Sequence, residues 1–105
     1  MKTVGLVLSL LLAAPALAAE TTLHGTYGGS AVDLRNRFAD AVTLYFKRYS
    51  GHVGSDGVGR ASYGKDPVEI SLEIADDTHY TLTVSAREHD GRYTAKWADE
   101  LRKRL

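Results

Sequence analysis

Residues 68–86, with the sequence VEISLEIADDTHYTLTVSA, decide the fold of this chain of 105 residues. On both sides of the acidic pair in the middle, apolar side chains occupy every second position and mostly polar side chains lie between them. This alternation is typical of a β-strand that buries one of its two faces. The stretch therefore predicts two neighbouring antiparallel strands that are joined by an acidic loop.

The loop between these two strands has to bring both sets of apolar side chains to the same face of the sheet. A loop of two residues pairs Leu72 with Thr81, which puts the two apolar sets on opposite faces. This happens because a shift of the register by one residue moves every side chain of a strand to the other face of the sheet. A loop with an odd number of residues pairs Leu72 with Leu82 or with Tyr80 instead. We therefore expect a loop of about three or five residues.

The segment after the second strand allows two structures. The dipeptide Asp90-Gly91 is typical of a two-residue hairpin turn, because glycine adopts a positive φ at little cost. This turn favours a third strand over residues 92–97, followed by a short helix over residues 98–105. The alternative is a helix over residues 93–105, where aromatic or leucine side chains recur at every fourth position.

A helix is predicted upstream of the strands, over residues 31–49, where apolar side chains recur at spacings of three and four. Ser30 or Asp33 can cap its N-terminus. A weaker strand is expected over residues 57–63, and residues 20–30 look like an ordered lead-in or a short edge strand. The fold class is therefore α+β, with one long helix packed on a three- to four-stranded antiparallel sheet, an α-β-β-β meander and a possible short C-terminal helix.

The N-terminal 18 residues have the three parts of a cleavable secretory signal peptide. A positively charged start precedes an apolar run, Pro15 interrupts that run, and small residues precede the expected cleavage site after Ala18 or Ala19. The apolar run is shorter than the roughly 20 residues that a membrane-spanning helix needs. We therefore expect a periplasmic or secreted protein whose single small domain covers residues 19–105, with no transmembrane segment.

The cysteine count and the charge balance limit the functions that this domain can have. The chain contains no cysteine, so the domain depends on its core or on a partner for stability. Loss of Lys2 with the signal peptide changes the 13 basic residues to 12, against 13 acidic ones. This balance argues against a nucleic-acid partner, because nucleic-acid binders usually have a clear basic excess. The motifs also predict no cofactor.

The polar side of the predicted sheet is the first candidate site. Its residues are Glu69, Ser71, Glu73, Thr81, Thr83, Ser85, Arg87, Thr94 and Lys96. A flat polar face of mixed charge can be an ordinary solvent face or can bind another protein. The leading hypothesis is a small exported, non-enzymatic binding module, for example an inhibitor or neutralising partner of another extracytoplasmic protein. Its oligomeric state stays open.

Two alternative functions involve other residues. A cluster of His52, Asp56, Asp76, Asp77 and His79 is expected at one end of the sheet, where it could bind a divalent cation or supply acid–base groups for a small hydrolase. The basic run at residues 102–104 could instead bind an anionic envelope polymer, as a structural envelope component.

Overall fold

The computed structural model describes residues 19–76 and 78–105, so the predicted signal peptide and Asp77 lie outside the described residues. In chain order the elements are β1 (Ala19–Thr26), α1 (Ala31–Tyr45), a short 3₁₀ helix (Lys47–Tyr49), β2 (His52–Val53), β3 (Gly59–Tyr63), β4 (Asp66–Ile74), β5 (His79–Ala86) and α2 (Gly91–Arg102). The predicted α+β class is confirmed. The long predicted helix divides near its end, because α1 stops at Tyr45 and the 3₁₀ helix follows.

The sheet has five antiparallel strands in the order β1-β5-β4-β3-β2, one or two more than predicted. The additional strands are β1 and the very short β2. The first strand of the described chain pairs with the last strand, with Ala19 opposite Ala86 and Thr26 opposite His79. Residues 20–26 therefore belong to an edge strand, the second of the two structures expected for residues 20–30.

The register between β4 and β5 agrees with the prediction from the apolar pattern. Leu72 lies opposite Leu82, and Ile74 lies opposite Tyr80. The five residues 75–79 separate this last pair, and the Ala75 N–H donates to the His79 carbonyl at 3.0 Å. The expected odd loop length is thus confirmed, and both apolar sets share the buried face of the sheet.

One hydrophobic core lies between the helices and this face. Its members on the strands are Ala61, Val68, Ile70, Tyr80, Leu82, Val84 and Ala86, and its members on the helical side are Leu34, Phe38, Ala41, Val42, Phe46, Trp97, Ala98 and Leu101. The α2 helix packs against β1 and β5, whereas α1 packs against β2, β3 and β4. The two helices together therefore cover one face of the sheet.

The predicted strand over residues 92–97 is wrong, because α2 occupies this segment. Asp90 is the N-cap of α2, and its carboxylate accepts the Arg92 N–H at 3.0 Å. A carboxylate in front of glycine can start a helix as well as a hairpin, and here the repeat of every fourth residue places Trp97 and Leu101 on the buried side. The alternative of a helix is the correct one.

We expect Asp90→Ala to lower the free energy of unfolding by about 1 kcal/mol, because it removes the side-chain cap of α2. Asp90→Asn keeps an oxygen that can accept the same N–H, so it should lower stability less. Urea denaturation followed by circular dichroism measures both variants. Equal stability of the wild type and Asp90→Ala would contradict this role of the cap.

Candidate functional site

Six of the residues predicted for the polar sheet face lie side by side on β4 and β5. The register places Glu69 opposite Ser85, Ser71 opposite Thr83, and Glu73 opposite Thr81. Both helices contribute their buried side chains to the core on the opposite face. We call this open side of the sheet the outer face.

The β1 strand extends the outer face with three residues that the sequence analysis did not include. Glu20, Thr22 and His24 are exposed and alternate with the inward residues of β1. The Thr22 hydroxyl lies 3.3 Å from the Thr83 hydroxyl, and His24 Nδ1 lies 3.1 Å from the Thr81 hydroxyl. The alternation of β1 was the available signal, but Leu23 is the only large apolar side chain on its buried side.

Thr94 and Lys96 do not lie on the outer face, which corrects their predicted placement. Both residues belong to α2, because residues 91–102 form a helix and not a strand. Thr94 is fully buried, and its hydroxyl lies 2.8 Å from the Thr21 hydroxyl of β1. Lys96 is exposed on the helical side of the domain.

A shallow depression of about 480 Å³ lies at one end of the outer face. Its polar lining consists of Ser50, His52, Arg60, Ser62, Glu69, Ser85 and Arg87. Arg60 Nη2 contacts the Asp56 carboxylate at 2.9 Å, and Arg60 Nε lies 4.0 Å from Glu69. Hydrogen bonds from Arg60 and from the Val58 N–H lower the pKa of Asp56 to about 2, so this carboxylate stays ionised across the physiological range.

The two histidines of the predicted metal cluster lie far apart. His52 lies opposite Arg60 on β3, in the row of strand residues that ends at Ser85 and Glu20. His79 lies six positions before Ser85 along β5, a distance of about 20 Å at 3.3 Å per residue. Within the described part of the chain, no three His, Asp or Glu side chains are placed to hold a metal ion, and Asp77 is outside that part.

Asp76 has a local role in the β4–β5 loop. Its carboxylate accepts the Thr78 N–H at 2.8 Å and the His79 N–H at 3.0 Å, and it lies 3.0 Å from His79 Nδ1. The hydrogen bonds from Thr78 and His79 lower the pKa of Asp76 to about 2. This is the geometry of an aspartate that closes a turn, so the described residues give the metal hypothesis no support.

A buried aspartate and a histidine form a pair that the sequence analysis missed. Asp66, at the start of β4, is 1 % exposed and accepts the backbone N–H groups of Arg87, Glu88 and His89 at 2.9, 3.0 and 2.9 Å. His89 Nδ1 lies 2.5 Å from the same carboxylate. The pair therefore closes the connection between β5 and α2. No local motif marks it, because the partners are 21 to 23 residues apart.

The pKa of Asp66 depends on two opposing effects. Burial raises it, but the hydrogen bonds from the His89 side chain and from the N–H groups of Glu88, Arg87 and His89 outweigh burial, so the pKa lies below the usual value. A carboxylate that holds the Nδ1 side of an imidazole is also how acid–base histidines are oriented. Here the imidazole packs edge-on against Tyr63 and Tyr93, at 4.9 and 4.7 Å between ring centres.

The basic run at residues 102–104 is largely neutralised by its own helix. Arg102 contacts Asp99 at 2.8 Å, Lys103 contacts Asp99 at 3.4 Å, and Arg104 lies 3.4 Å from Glu100. Charges engaged in this way attract an anionic polymer less strongly than free charges do.

None of the helices between residues 19 and 105 is both long enough and apolar enough to cross a membrane. The described residues offer two candidate features. One is the depression on the outer face, and the other is the buried Asp66–His89 pair on the opposite face of the sheet. Comparisons with protein-family models, with curated proteins and with solved structures found no match to this chain.

Proposed function

We propose that this chain is a small exported, non-enzymatic binding module that holds another extracytoplasmic protein on its outer face. The observation that carries the proposal is the polar depression on a sheet face that the helices leave open. Flat sheets that pack helices on one side need no polar depression on the other side for their stability. This concave surface, which combines polar side chains with the apolar Ala61, Pro67 and Val68, is therefore available for a partner.

The depression is built on strands, which keep its side chains in place. One row of residues crosses all five strands through His52, Arg60, Glu69, Ser85 and Glu20. Strand pairing fixes the backbone of these residues, and a site built on strands is held more precisely than a site built on loops. The row therefore gives a partner a preorganised set of donors and acceptors.

The charges indicate the chemistry of the partner. Arg87 is exposed and forms no ion pair with any residue that the structure describes. Arg60, by contrast, is paired with the carboxylates of Asp56 and Glu69. A free guanidinium beside hydroxyl donors favours a carboxylate, which it can bind through two hydrogen bonds. The partner surface is therefore expected to contain an acidic side chain that contacts Arg87.

We expect Arg87→Glu to weaken partner binding by a factor of ten or more, since arginine anchors at interfaces contribute about 2 kcal/mol or more. The immobilised domain captures its partner from the extracytoplasmic fraction, mass spectrometry identifies the partner, and calorimetry with purified components measures the affinity. Arg35→Glu is the matched control, because Arg35 is an exposed residue of α1 on the helical side.

Three outcomes would contradict the proposal. One is the capture of no partner from that fraction. The second is a partner whose affinity is the same for Arg87→Glu and the wild type. The third is a partner whose affinity falls equally in Arg35→Glu, since that result places the contact away from the outer face.

A further inference from the structure

A second surface with binding geometry lies on the helical side of the domain, away from the outer face. A groove of about 220 Å³ opens where the end of α1, the 3₁₀ helix, β3 and α2 meet. Its residues include Tyr45, Arg48, Tyr49, Tyr63, Lys96 and Trp97. We call it the aromatic groove.

The rings of the aromatic groove are packed against one another but are not all covered. Trp97 is 3 % exposed and lies beneath Tyr63, with 5.2 Å between the ring centres. Tyr49 lies against Tyr63 at 4.2 Å, with an angle of 31° between the ring planes. Tyr45, Tyr49 and Tyr63 are only half-buried, so part of each side chain is accessible to solvent. Tyrosine in this position offers an apolar surface and a polar end to a ligand.

The rim of the aromatic groove is positively charged. Arg48 and Lys96 are exposed, and neither forms an ion pair with a residue between 19 and 76 or between 78 and 105. Arg104 lies over the ring of Tyr45 at 5.2 Å and is engaged with Glu100. Two free cations at the edge of an aromatic surface complement a ligand that has an apolar ring face and a negative charge.

We propose that the aromatic groove binds a carboxylated sugar unit of an acidic polysaccharide. The C–H face of a pyranose ring packs on the negative face of an aromatic ring, the tyrosine hydroxyls contact the sugar hydroxyls, and Arg48 and Lys96 bind the carboxylate. The volume is below the about 300 Å³ at which pockets begin to enclose whole drug-sized ligands, so it suits one ring of a chain that continues past the rim.

The ring arrangement favours a sugar over a nucleobase. A base stacks on an open aromatic face and often lies between two parallel rings. Tyr49 and Tyr63 already lie against each other, so they leave no space for a flat base between them. A pyranose packs one C–H face on a single aromatic ring, so it does not need a space between two rings. This site is independent of the outer face, and the two proposals can fail separately.

The single tryptophan of the chain reports on this site directly, because Trp97 contributes to the groove. The mature domain is titrated with oligogalacturonate, hyaluronan and alginate, and the change in tryptophan fluorescence is recorded. We expect saturable binding of at least one of these acidic polysaccharides. Its methyl-esterified form, which has the same ring without the charge, should bind at least tenfold more weakly.

Two variants locate the binding. Lys96→Gln and Arg48→Gln each remove one cation from the rim, and each should weaken binding of the acidic polysaccharide by about tenfold, the effect of one charge-assisted hydrogen bond. Arg35→Gln is the control, since Arg35 is an exposed α1 residue that also forms no ion pair in the described chain. Circular dichroism verifies that each variant is folded.

Four results would overturn the proposal. They are no binding of any of the three polysaccharides, equal affinity for the charged and the esterified form, equally tight binding of polyglutamate, and an equal loss of affinity in Arg35→Gln. Polyglutamate has the charge without the sugar ring, so it separates recognition of a carboxylated sugar from attraction of any polyanion.

Discussion

Replacement of Trp97 by alanine is expected to lower the free energy of unfolding by about 3–5 kcal/mol. The indole is 3 % exposed and lies 5.8 Å from Phe46 and 5.2 Å from Tyr63, measured between ring centres. Its removal leaves a cavity between α2 and the sheet that the surrounding rings cannot fill. Since a small domain has only about 5–15 kcal/mol of stability, this loss is a large part of the total. Urea denaturation followed by circular dichroism measures it.

Two further variants distinguish packing from a general effect of substitution. Trp97→Phe keeps an aromatic ring in the cavity and should be clearly more stable than Trp97→Ala. Leu44→Ala removes a side chain that is 67 % exposed on α1, and its effect should stay within about 0.5 kcal/mol. A Trp97→Ala protein as stable as Leu44→Ala would show that α2 does not pack through this side chain.

Replacement of Asp66 by alanine is expected to be similarly destabilising, by about 3–5 kcal/mol, because each buried donor that is left without an acceptor costs about 1–3 kcal/mol. The three backbone N–H groups of residues 87–89 and the His89 side chain lose their shared acceptor. An exposed aspartate in an ion pair, Asp99, provides the control, since surface pairs contribute about 0–1 kcal/mol. Equal effects of Asp66→Ala and Asp99→Ala in urea denaturation would contradict the role of Asp66.

The same carboxylate predicts how stability depends on pH. The pKa of Asp66 in the folded protein lies below its usual value, because hydrogen bonds from His89 and from three backbone N–H groups outweigh burial. The stabilising effect of Asp66 is therefore fully present above its pKa in the unfolded chain, about 4. The effect is lost as the pH falls through the lower pKa that Asp66 has in the folded protein. Asp66→Asn cannot titrate, so its stability deficit should be constant at neutral pH and should shrink in acid. A deficit that does not change between neutral pH and pH 2 would contradict this linkage.

The centre of the sheet was predictable because burial of one face leaves a clear pattern in the sequence. The alternation in β4 and β5 located both strands, and the need to bury Leu72 and Leu82 on the same face determined their register. The outer positions of these two strands followed from the same pattern. This part of the outer face was therefore available from the sequence alone.

The other elements were harder to predict from the sequence, because their local signals were weak or ambiguous. Only Leu23 is a large apolar residue on the inner side of β1, so its alternation is easily overlooked. Asp90-Gly91 fits a hairpin and a helix start equally well, and only the packing of Trp97 and Leu101 against the sheet decides between them. The pairing of Asp66 with residues 87–89 is tertiary, so no spacing in the sequence could reveal it.

The position of β1 beside β5 determines when the domain can be completed during synthesis. Thr22 and Thr83, which meet across these strands, are 61 residues apart, and Thr21 meets Thr94 of α2 across 73 residues. The first strand therefore has no neighbour to pair with until residues 79–86 have been made. Pairing over such separations is slow, because the entropy of closing the loop is lost before the contacts are gained. A chain that stays open this long remains suitable for passage through a secretion channel as an unfolded polypeptide, which fits the export that we propose.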